Sequence, residues 1–355
     1  MTYDKKTENG NERLIYLDCL RILATFGVML LHVSAQNWAV AEVNTLEWNV
    51  FNFFDSSVRW AVPVFVMISG ALFLAGNRSI EQIYKRNVLR LITAWSFWSA
   101  AYAWIGLVTV PMSLKDAVLQ MMSGHYHMWF LFMIIGLYMI VPFLQKIVGS
   151  LELTRYFLIL SLMFTFLLPQ LVMLFSFTLE RGGAVVSGIL NNFYFHFAVG
   201  FVGYFVCGYY LNNIEIKGRK EGLVYLLGIC GLIMTAGFTR VISIRQQAAN
   251  ELFYGYFTVN VLLESIAVFV LAKNHFKWCM NKRIEACIRK FSKYSFGAYL
   301  VHAMVLEQLH HFFGIHTLSF HPIVSVIVIV SIVCVISFGI SGMLNSIPVL
   351  KKYIV

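Results

Sequence analysis

Long apolar runs recur from the beginning of the chain to its end, and short polar stretches separate them. A helix of about 20 residues is long enough to cross the hydrocarbon core of a bilayer, so apolar runs of that length predict transmembrane helices. We therefore expect an all-α, polytopic integral membrane protein. The pattern predicts ten spans, at residues 14–36, 57–76, 91–110, 127–145, 156–175, 192–211, 222–240, 253–272, 294–313 and 323–345.

The composition indicates the same class of protein. Of 355 residues, 59% are hydrophobic and only 12% are charged, whereas a soluble domain is about 45–50% apolar and about 25% charged. The mean hydropathy of +0.73 excludes a soluble globular protein. Because the connections are too short to hold a separate soluble domain, we expect one membrane domain over residues 14–347, with tails at 1–13 and 348–355.

Basic residues are distributed unevenly between the two sides of the predicted membrane domain. The formal net charge is +10, and all but six of the 27 Lys and Arg residues lie in the tails or in connections on the same side as the tails. By the positive-inside rule, this bias predicts cytoplasmic termini. The basic charge then reflects topology, so no nucleic-acid partner is expected. The six exceptions are Arg21 inside the first span and, toward the outer side, Arg59, Lys115, Arg181, Arg240 and Arg245.

The sequence predicts neither a cleaved secretory signal nor a structural role for cysteine pairs. Arg21, the apolar run 22–31 and the small residues 33–35 resemble a secretory signal. The segment before Arg21 is too acidic for a secretory signal, so cleavage is not expected.

The six cysteines lie in spans or in the inner connection 273–293, which argues against disulfides. Since Cys279 and Cys287 are too far apart for a CxxC pair and no HExxH motif occurs, we expect no metal site.

The first span carries ionisable residues on one face. Arg21 and His32 are 11 positions apart, so they differ by about 20° around a helix and by roughly 16 Å along it. Asp18 lies one turn before Arg21. Ionisable groups that face a bundle interior mark functional sites, and an imidazole can act as a general base. The structural alternative is an Asp18–Arg21 ion pair at the inner boundary with His32 as an interfacial residue.

Two later spans place histidines and tyrosines in the membrane. His127 and Tyr138 share a face of the fourth span, and Trp129 lies at the depth where indoles anchor proteins at the interface. In the ninth span, Ser295, Tyr299 and His302 stack on one face. The alternatives are an interfacial anchor for Trp129 and a hydrogen-bonded core histidine for His302. Glu264, in the eighth span, is a buried acid that needs a partner.

A basic cluster follows the second span and contains Arg78, Lys85, Arg86 and Arg90. Charges at this position commonly determine topology. Arg86 and Arg90 are four residues apart on a helix, so they can also clamp the phosphates of an anionic cytoplasmic ligand.

Five segments in chain order resemble the acyltransferase-3 family of integral membrane acyltransferases. The first is the initial helix, in which ten residues separate Arg21 from His32. The others are VMISGALF at 66–73, the arginines Arg86 and Arg90, HMWFL at 127–131, and YLVH at 299–302. The resemblance extends over nearly the whole chain. One departure is Asn87, which stands where many members carry a second arginine directly after the one at Arg86.

The resemblance implies an O-acyltransferase of the inner membrane, with acetyl-CoA or another acyl-CoA as cytoplasmic donor. The acceptor is then a hydroxyl of a cell-envelope glycan or lipid-linked sugar. The uninterrupted segment 125–130 and the lack of an appended hydrolase-like domain are similar to stand-alone enzymes that O-acetylate cell-envelope sugars, such as enterobacterial common antigen. The sequence leaves open the acceptor, the acyl chain and the oligomeric state, a homo-oligomer included.

The resemblance also implies roles for the residues already singled out. His32 deprotonates the acceptor hydroxyl, with Arg21 and Asp18 as further catalytic residues. Whether His32 also carries a transient acyl group stays open. A secondary transporter of a small anionic or sugar-like solute is the competing class, because carriers also bury charged residues. The donor site is assigned to Arg86, Arg90, Tyr299 and His302, and the acceptor site to His127, Trp129 and Tyr138.

Overall fold

The computed structural model describes residues 14–76, 78–109, 112–178, 199–276 and 281–355. Within these ranges the chain is helical and contains no strand, which confirms the all-α fold class. The tail 1–13, Arg181, Lys277 and the first part of the predicted span 192–211 lie outside the described residues. In chain order, the longer helices are α1 (Ile15–Ala35), α2 (Leu46–Ser56), α3 (Ala61–Phe73), α4 (Ile80–Thr109), α5 (Leu114–Ser123), α6 (Trp129–Val148), α7 (Leu151–Ser161), α8 (Leu168–Thr178), α9 (Phe201–Asn213), α10 (Arg219–Gln246), α11 (Val259–His275), α12 (Lys282–Phe313), α13 (Pro322–Ser346) and α14 (Pro348–Tyr353).

In the described part of the chain, 8 helical segments are long and apolar enough to cross a membrane. They coincide with eight of the ten predicted spans, which confirms the polytopic class. The other two predicted spans correspond to α9, with residues 192–198 of that span not described, and to the second half of α12. That half is less apolar because it contains several polar residues, chiefly His302, Glu307, Gln308, His310 and His311.

Two stretches expected to be connections contain helices. Helix α2 lies in the predicted connection 37–56 and buries Trp48 and Phe51 completely. Helix α5 lies in the predicted connection 111–126, and Ser113 caps its N-terminus by accepting a hydrogen bond from the Asp116 amide. Both helices mix apolar and polar residues, so a search for long apolar runs does not detect them.

The described contacts divide the chain into two compact units. One comprises Met1–Leu20, Arg59–Asn77 and Val141–Cys279, and the other comprises Arg21–Val58, Arg78–Ile140 and Met280–Val355. The boundary in the first helix falls between Leu20 and Arg21. Asp18 therefore belongs to the first unit, while the other predicted site residues belong to the second.

Glycines allow helices α3 and α9 to pack closely in the first unit. A Cβ atom at Gly70 would lie 1.7 Å from the Phe205 carbonyl oxygen, and one at Gly208 would lie 2.0 Å from that of Met67. Neither separation is possible for a real side chain. The contact between the two helices therefore depends on glycine at both positions.

The same unit supplies the partner that the sequence left unnamed for Glu264. The carboxylate of Glu264, on α11, accepts a hydrogen bond from the Thr235 hydroxyl on α10. The amide of Asn260 donates to that hydroxyl at 2.8 Å. The buried acid is thus part of a polar contact between two packed helices.

The end of the chain packs against α4 in the second unit. Arg90 Nη2 donates to the Val355 carbonyl oxygen at 2.6 Å, and Thr93 Oγ1 donates to that of Tyr353 at 2.9 Å. Val355 is only 2% exposed. The segment predicted as a tail from residue 348 thus includes the short helix α14 and packs against α4, which carries Arg90.

Candidate active site

Four histidines from three parts of the sequence meet in the second unit. His32 lies near the end of α1, His302 lies in the middle of α12, and His125 and His127 lie in the turn between α5 and α6. Gly124 starts this turn with φ of +75°, a conformation that favours glycine, and a 3₁₀ turn follows at Tyr126–Met128. The turn therefore directs two histidines toward the two helices.

His32 and His302 are in direct contact. His32 Nδ1 lies 2.7 Å from His302 Nε2, and the two rings stack with centroids 4.9 Å apart. His302 Nδ1 lies 2.5 Å from the Tyr299 carbonyl oxygen. A carbonyl oxygen can only accept, so Nδ1 of neutral His302 carries the proton and Nε2 accepts from His32 Nδ1. This assignment leaves the lone pair of neutral His32 on Nε2.

The second pair of histidines leads from the cluster to an exposed acid. His127 Nδ1 lies 3.0 Å from His125 Nδ1, and His125 Nε2 lies 3.0 Å from a carboxylate oxygen of Glu307. The Glu307 side chain is 44% exposed. The Tyr299 hydroxyl donates to the His127 carbonyl oxygen at 2.5 Å, which joins the turn to α12.

Tyr102 holds the turn of α12 that carries His302. Its hydroxyl donates to the Leu300 carbonyl oxygen at 2.9 Å and accepts from the Met304 amide at 3.0 Å. These two backbone groups are separated by four residues and would bond directly in a regular helix. The hydroxyl therefore bridges one turn of the helix. The Tyr102 ring also stacks on His125, with centroids 4.0 Å apart.

The four imidazoles differ in accessibility. His302 is fully buried, and His127 and His125 are 2% and 9% exposed. His32 is partly exposed, and its ring contacts that of Tyr126, which is itself 55% exposed. His32 is thus the imidazole of the cluster that an incoming substrate can reach most easily.

Arg21 lies on the same helix as His32, toward the other end. Its Nη1 donates to Ser292 Oγ on α12 at 3.3 Å. This contact and the His32–His302 contact show that α1 and α12 run in the same direction through the second unit. The small residues between Arg21 and His32 on this face are buried, with Ala24, Thr25 and Val28 at 0%, 1% and 3% exposure.

A basic region lies beside the end of the chain. Arg86 is exposed on a π-helical turn at Ile83–Val88, whereas the Arg90 guanidinium reaches the Val355 carbonyl oxygen. Lys351 hydrogen-bonds to Lys293 and lowers its pKa, an effect to which burial and the charge of Lys351 also contribute. Two lysines in contact repel each other, so an anion bound between them would stabilise both.

The predicted acceptor residues do not all lie together. His127 belongs to the cluster, but Tyr138 lies within electrostatic range of Arg90. Trp129 is 41% exposed and packs on the neighbouring ring of Phe130. The two residues assigned to the donor on α12, Tyr299 and His302, instead contact the histidines.

Asp18 and Ser295 complete the predicted residues. Asp18 is 3% exposed and belongs to the first unit. The Ser295 hydroxyl donates to the Phe291 carbonyl oxygen of its own helix at 3.2 Å.

Sequence reasoning missed three members of the cluster: Glu307, Tyr102 and Tyr126. Glu307 follows His302 by five residues, which places it about 140° away around a regular helix. A search for residues on one helical face therefore separates the two. Tyr126 lies in a 3₁₀ turn, so helical periodicity does not single it out.

Among the described residues, no group of three or more His, Cys, Asp or Glu residues has the geometry of a metal site. An apolar cavity of about 480 Å³ lies between α4, α12 and α13, lined by residues that include Trp104, Met304 and Ile336. It contains none of the predicted site residues.

Comparison with known families identifies the class of protein. The acyltransferase-3 family model, described as an acyltransferase domain, matches residues 14–342. The chain therefore belongs to this family of membrane acyltransferases. No curated protein and no solved structure matches the chain.

Proposed function

We propose that this protein is an O-acyltransferase that transfers an acyl group from acyl-CoA to a hydroxyl of a cell-envelope glycan or lipid-linked sugar. The observation that carries the proposal is the orientation of His32. Its Nδ1 donates to His302, so its Nε2 carries a lone pair in the most accessible part of the histidine cluster. Membership of an acyltransferase family supplies the reaction class for that base.

The reaction follows from the position of this lone pair. His32 Nε2 takes the proton of the acceptor hydroxyl while the hydroxyl oxygen attacks the thioester carbonyl carbon. The tetrahedral intermediate then breaks its carbon–sulfur bond, and the CoA thiolate takes the proton from His32. General base catalysis of this kind contributes roughly 10²–10⁴-fold to the rate. His302 orients the imidazole and accepts from the same Nδ1–H when His32 is protonated.

The basic region beside the end of the chain is suited to the donor. CoA is an anion with several phosphate groups, and charge-assisted hydrogen bonds from arginine and lysine bind phosphate strongly. Arg86 is exposed there, and Lys293 and Lys351 are in contact. We assign the CoA phosphates to these residues and to Arg90, whose guanidinium has further N–H donors besides the one bonded to Val355.

In this proposal, Arg21 lies between the basic region that binds the CoA phosphates and the base His32. It is on the face of α1 that ends at His32, about 16 Å away along the helix. Its contact with Ser292 keeps the guanidinium beside α12. In this proposal Arg21 guides the acyl end of the donor toward His32, and the CoA enters from the cytoplasmic side of an inner-membrane protein.

Direct acyl transfer is the test of this function. Purified protein in nanodiscs is incubated with radiolabelled acetyl-CoA and a panel of cell-envelope glycans, and the label in the glycan is measured. Wild type should transfer label, while His32→Gln should not. His316→Gln is a matched control because His316 lies outside the cluster. Movement of an intact solute across a proteoliposome membrane without label transfer would instead indicate the transporter class.

A further inference from the structure

The cavity between α4, α12 and α13 has no role in the reaction described above. Its volume is about 480 Å³, within the range of about 300–1,000 Å³ that is typical of small-molecule sites. Its walls are almost wholly apolar, and the hydroxyl of Thr109, one of the few polar lining groups, already donates to the Ile105 carbonyl oxygen. An apolar cavity of this kind excludes water and binds hydrocarbon.

The cavity opens toward the surface that the bilayer covers. Four of its lining residues are between 65% and 72% exposed, namely Trp104, Val108, Phe312 and Phe313. The helical segments that form α4 and α13 are long and apolar enough to cross a membrane. The open side of the cavity therefore faces the hydrocarbon core, and a lipid chain enters it without crossing water.

The cavity begins at the contact that holds the catalytic turn of α12. The Tyr102 ring stacks on His125, and its hydroxyl accepts from the amide of Met304, whose side chain lines the cavity. Leu309 also lines the cavity and follows His302 by seven residues. It therefore lies about 20° from His302 around the helix and about 10 Å along it. The cavity thus adjoins the histidine cluster through α4 and α12.

The cavity lies on the opposite side of His302 from the proposed donor site. On α12 its lining residues fall at 301–313, whereas Lys293 precedes His302 by nine residues. The acyl chain of a donor bound at Lys293 would have to pass the reacting centre to enter the cavity. An acceptor that approaches from the other end of α12 places its own chain there directly.

We propose that this cavity holds the hydrocarbon chain of the acceptor, which makes the acceptor a lipid-linked sugar rather than a free glycan. This inference rests on the proposed function and narrows its acceptor class. Moving a chain from the bilayer into the cavity gains little hydrophobic free energy, because both surroundings are apolar. The benefit is positional, since van der Waals contacts hold the chain beside α12 and raise the local concentration of the sugar hydroxyl near His32.

Photolabelling locates the chain without any assay of activity. The probe is dodecyl glucoside with a diazirine at the end of its chain, added to the protein in phosphatidylcholine nanodiscs at concentrations that leave the nanodiscs intact. We expect label in 301–313 and 336–340, suppressed by excess dodecyl glucoside and not by methyl glucoside. Label spread evenly over exposed apolar residues, such as Leu226 and Ile233 of α10, would contradict the proposal.

An ordinary membrane lipid is the other source of a hydrocarbon chain. A phosphatidylcholine with a diazirine in its acyl chain tests this source in the same nanodiscs. We expect dodecyl glucoside to displace this lipid from 301–313. If the lipid label stays there at saturating dodecyl glucoside, the cavity holds bilayer lipid and the proposal is wrong.

Two adjacent residues of α13 provide a matched pair for kinetics. Ile336 lines the cavity, whereas Val335 is 72% exposed and does not line it. In wild type we expect a higher kcat/KM for dodecyl glucoside than for methyl glucoside. Ile336→Trp fills the cavity and should lower this ratio about tenfold, while Val335→Trp should retain it. Partitioning of dodecyl glucoside into the bilayer is common to both variants and cancels. Ile340→Trp, at another lining residue, serves if Ile336→Trp does not fold.

The chain site and the proposed function fail in different ways. Label in the cavity without acyl transfer to either glucoside would overturn the function and leave the chain site standing. Transfer with the wild-type ratio in both Ile336→Trp and Ile340→Trp would overturn the chain site and leave the function standing. An unchanged ratio in Ile336→Trp with loss of activity toward a long-chain acyl-CoA would assign the cavity to the donor and also overturn the proposal.

Discussion

His32 Nδ1 lies 2.7 Å from His302 Nε2, and His302 in turn lies against the Tyr299 carbonyl oxygen. The neutral imidazole of His302 thus orients His32. In many hydrolases a carboxylate orients the catalytic histidine instead. A neutral orienting group fits a site within the membrane, since a second buried charge would be costly there. The arrangement gives His302 a defined role that can be separated from that of His32.

Replacing His302 should lower turnover without weakening donor binding. In His302→Ala, the acceptor of the His32 Nδ1–H bond is lost, so His32 can adopt the other tautomer and rotate away. We expect kcat to fall roughly tenfold to a hundredfold, about 1.4–2.8 kcal/mol in the barrier, with the acyl-CoA KM unchanged. Steady-state kinetics in nanodiscs check this. An unchanged kcat would show that His302 is only a core residue.

Removing the Tyr102 hydroxyl should affect catalysis more than stability. Tyr102→Phe keeps the ring that stacks on His125 but removes the bridge between the Leu300 carbonyl and the Met304 amide. Those two groups can then bond directly, which moves the turn that carries His302. We expect the free energy of unfolding to change by no more than about 1 kcal/mol, with a several-fold loss in kcat. A large fall in Tm with full activity in the folded fraction would contradict this account.

Neutralising the basic region should weaken the binding of acyl-CoA. Arg86→Gln and Lys351→Gln each remove one charge from the proposed phosphate site, and each lost charge-assisted contact costs about 1.5–3 kcal/mol. The Kd from calorimetric titration should rise at least about tenfold and depend less on ionic strength than in wild type. Lys282→Gln removes an exposed charge elsewhere in the same unit and should leave the Kd unchanged. Wild-type affinity in Arg86→Gln and Lys351→Gln, as in Lys282→Gln, would show that the basic residues only determine topology.

The glycine contact between α3 and α9 predicts a loss of stability. Gly70→Ala and Gly208→Ala each place a methyl group within 2.0 Å of a carbonyl oxygen, so the helices must separate. Overpacking of this kind costs typically about 1–3 kcal/mol or more, and we expect lower Tm values and reduced folded yield. Gly237→Ala is the matched control, because nothing lies within 4 Å of its Cβ position. Similar Tm values for all three variants would show that the helices are not packed this closely.

Much of the fold follows from the sequence because membrane helices need long apolar runs. Helix α12 is the exception, since site residues His302 and Glu307, together with Gln308, His310 and His311, lower its hydropathy. Helical periodicity brought Arg21 and His32 to one face of α1, which the structure retains. It could not bring His32 to His302, or Glu307 to His125, because those contacts depend on how separate helices and a turn pack together.

In the proposed mechanism, His32 Nε2 deprotonates the acceptor hydroxyl. The most direct measurement is acyl transfer from labelled acetyl-CoA by His32→Gln at the same folded concentration as wild type, with acetyl-CoA binding measured in parallel. We predict that transfer falls by at least about a hundredfold while acetyl-CoA binds with unchanged affinity. Transfer at the wild-type rate in His32→Gln would contradict this role of His32.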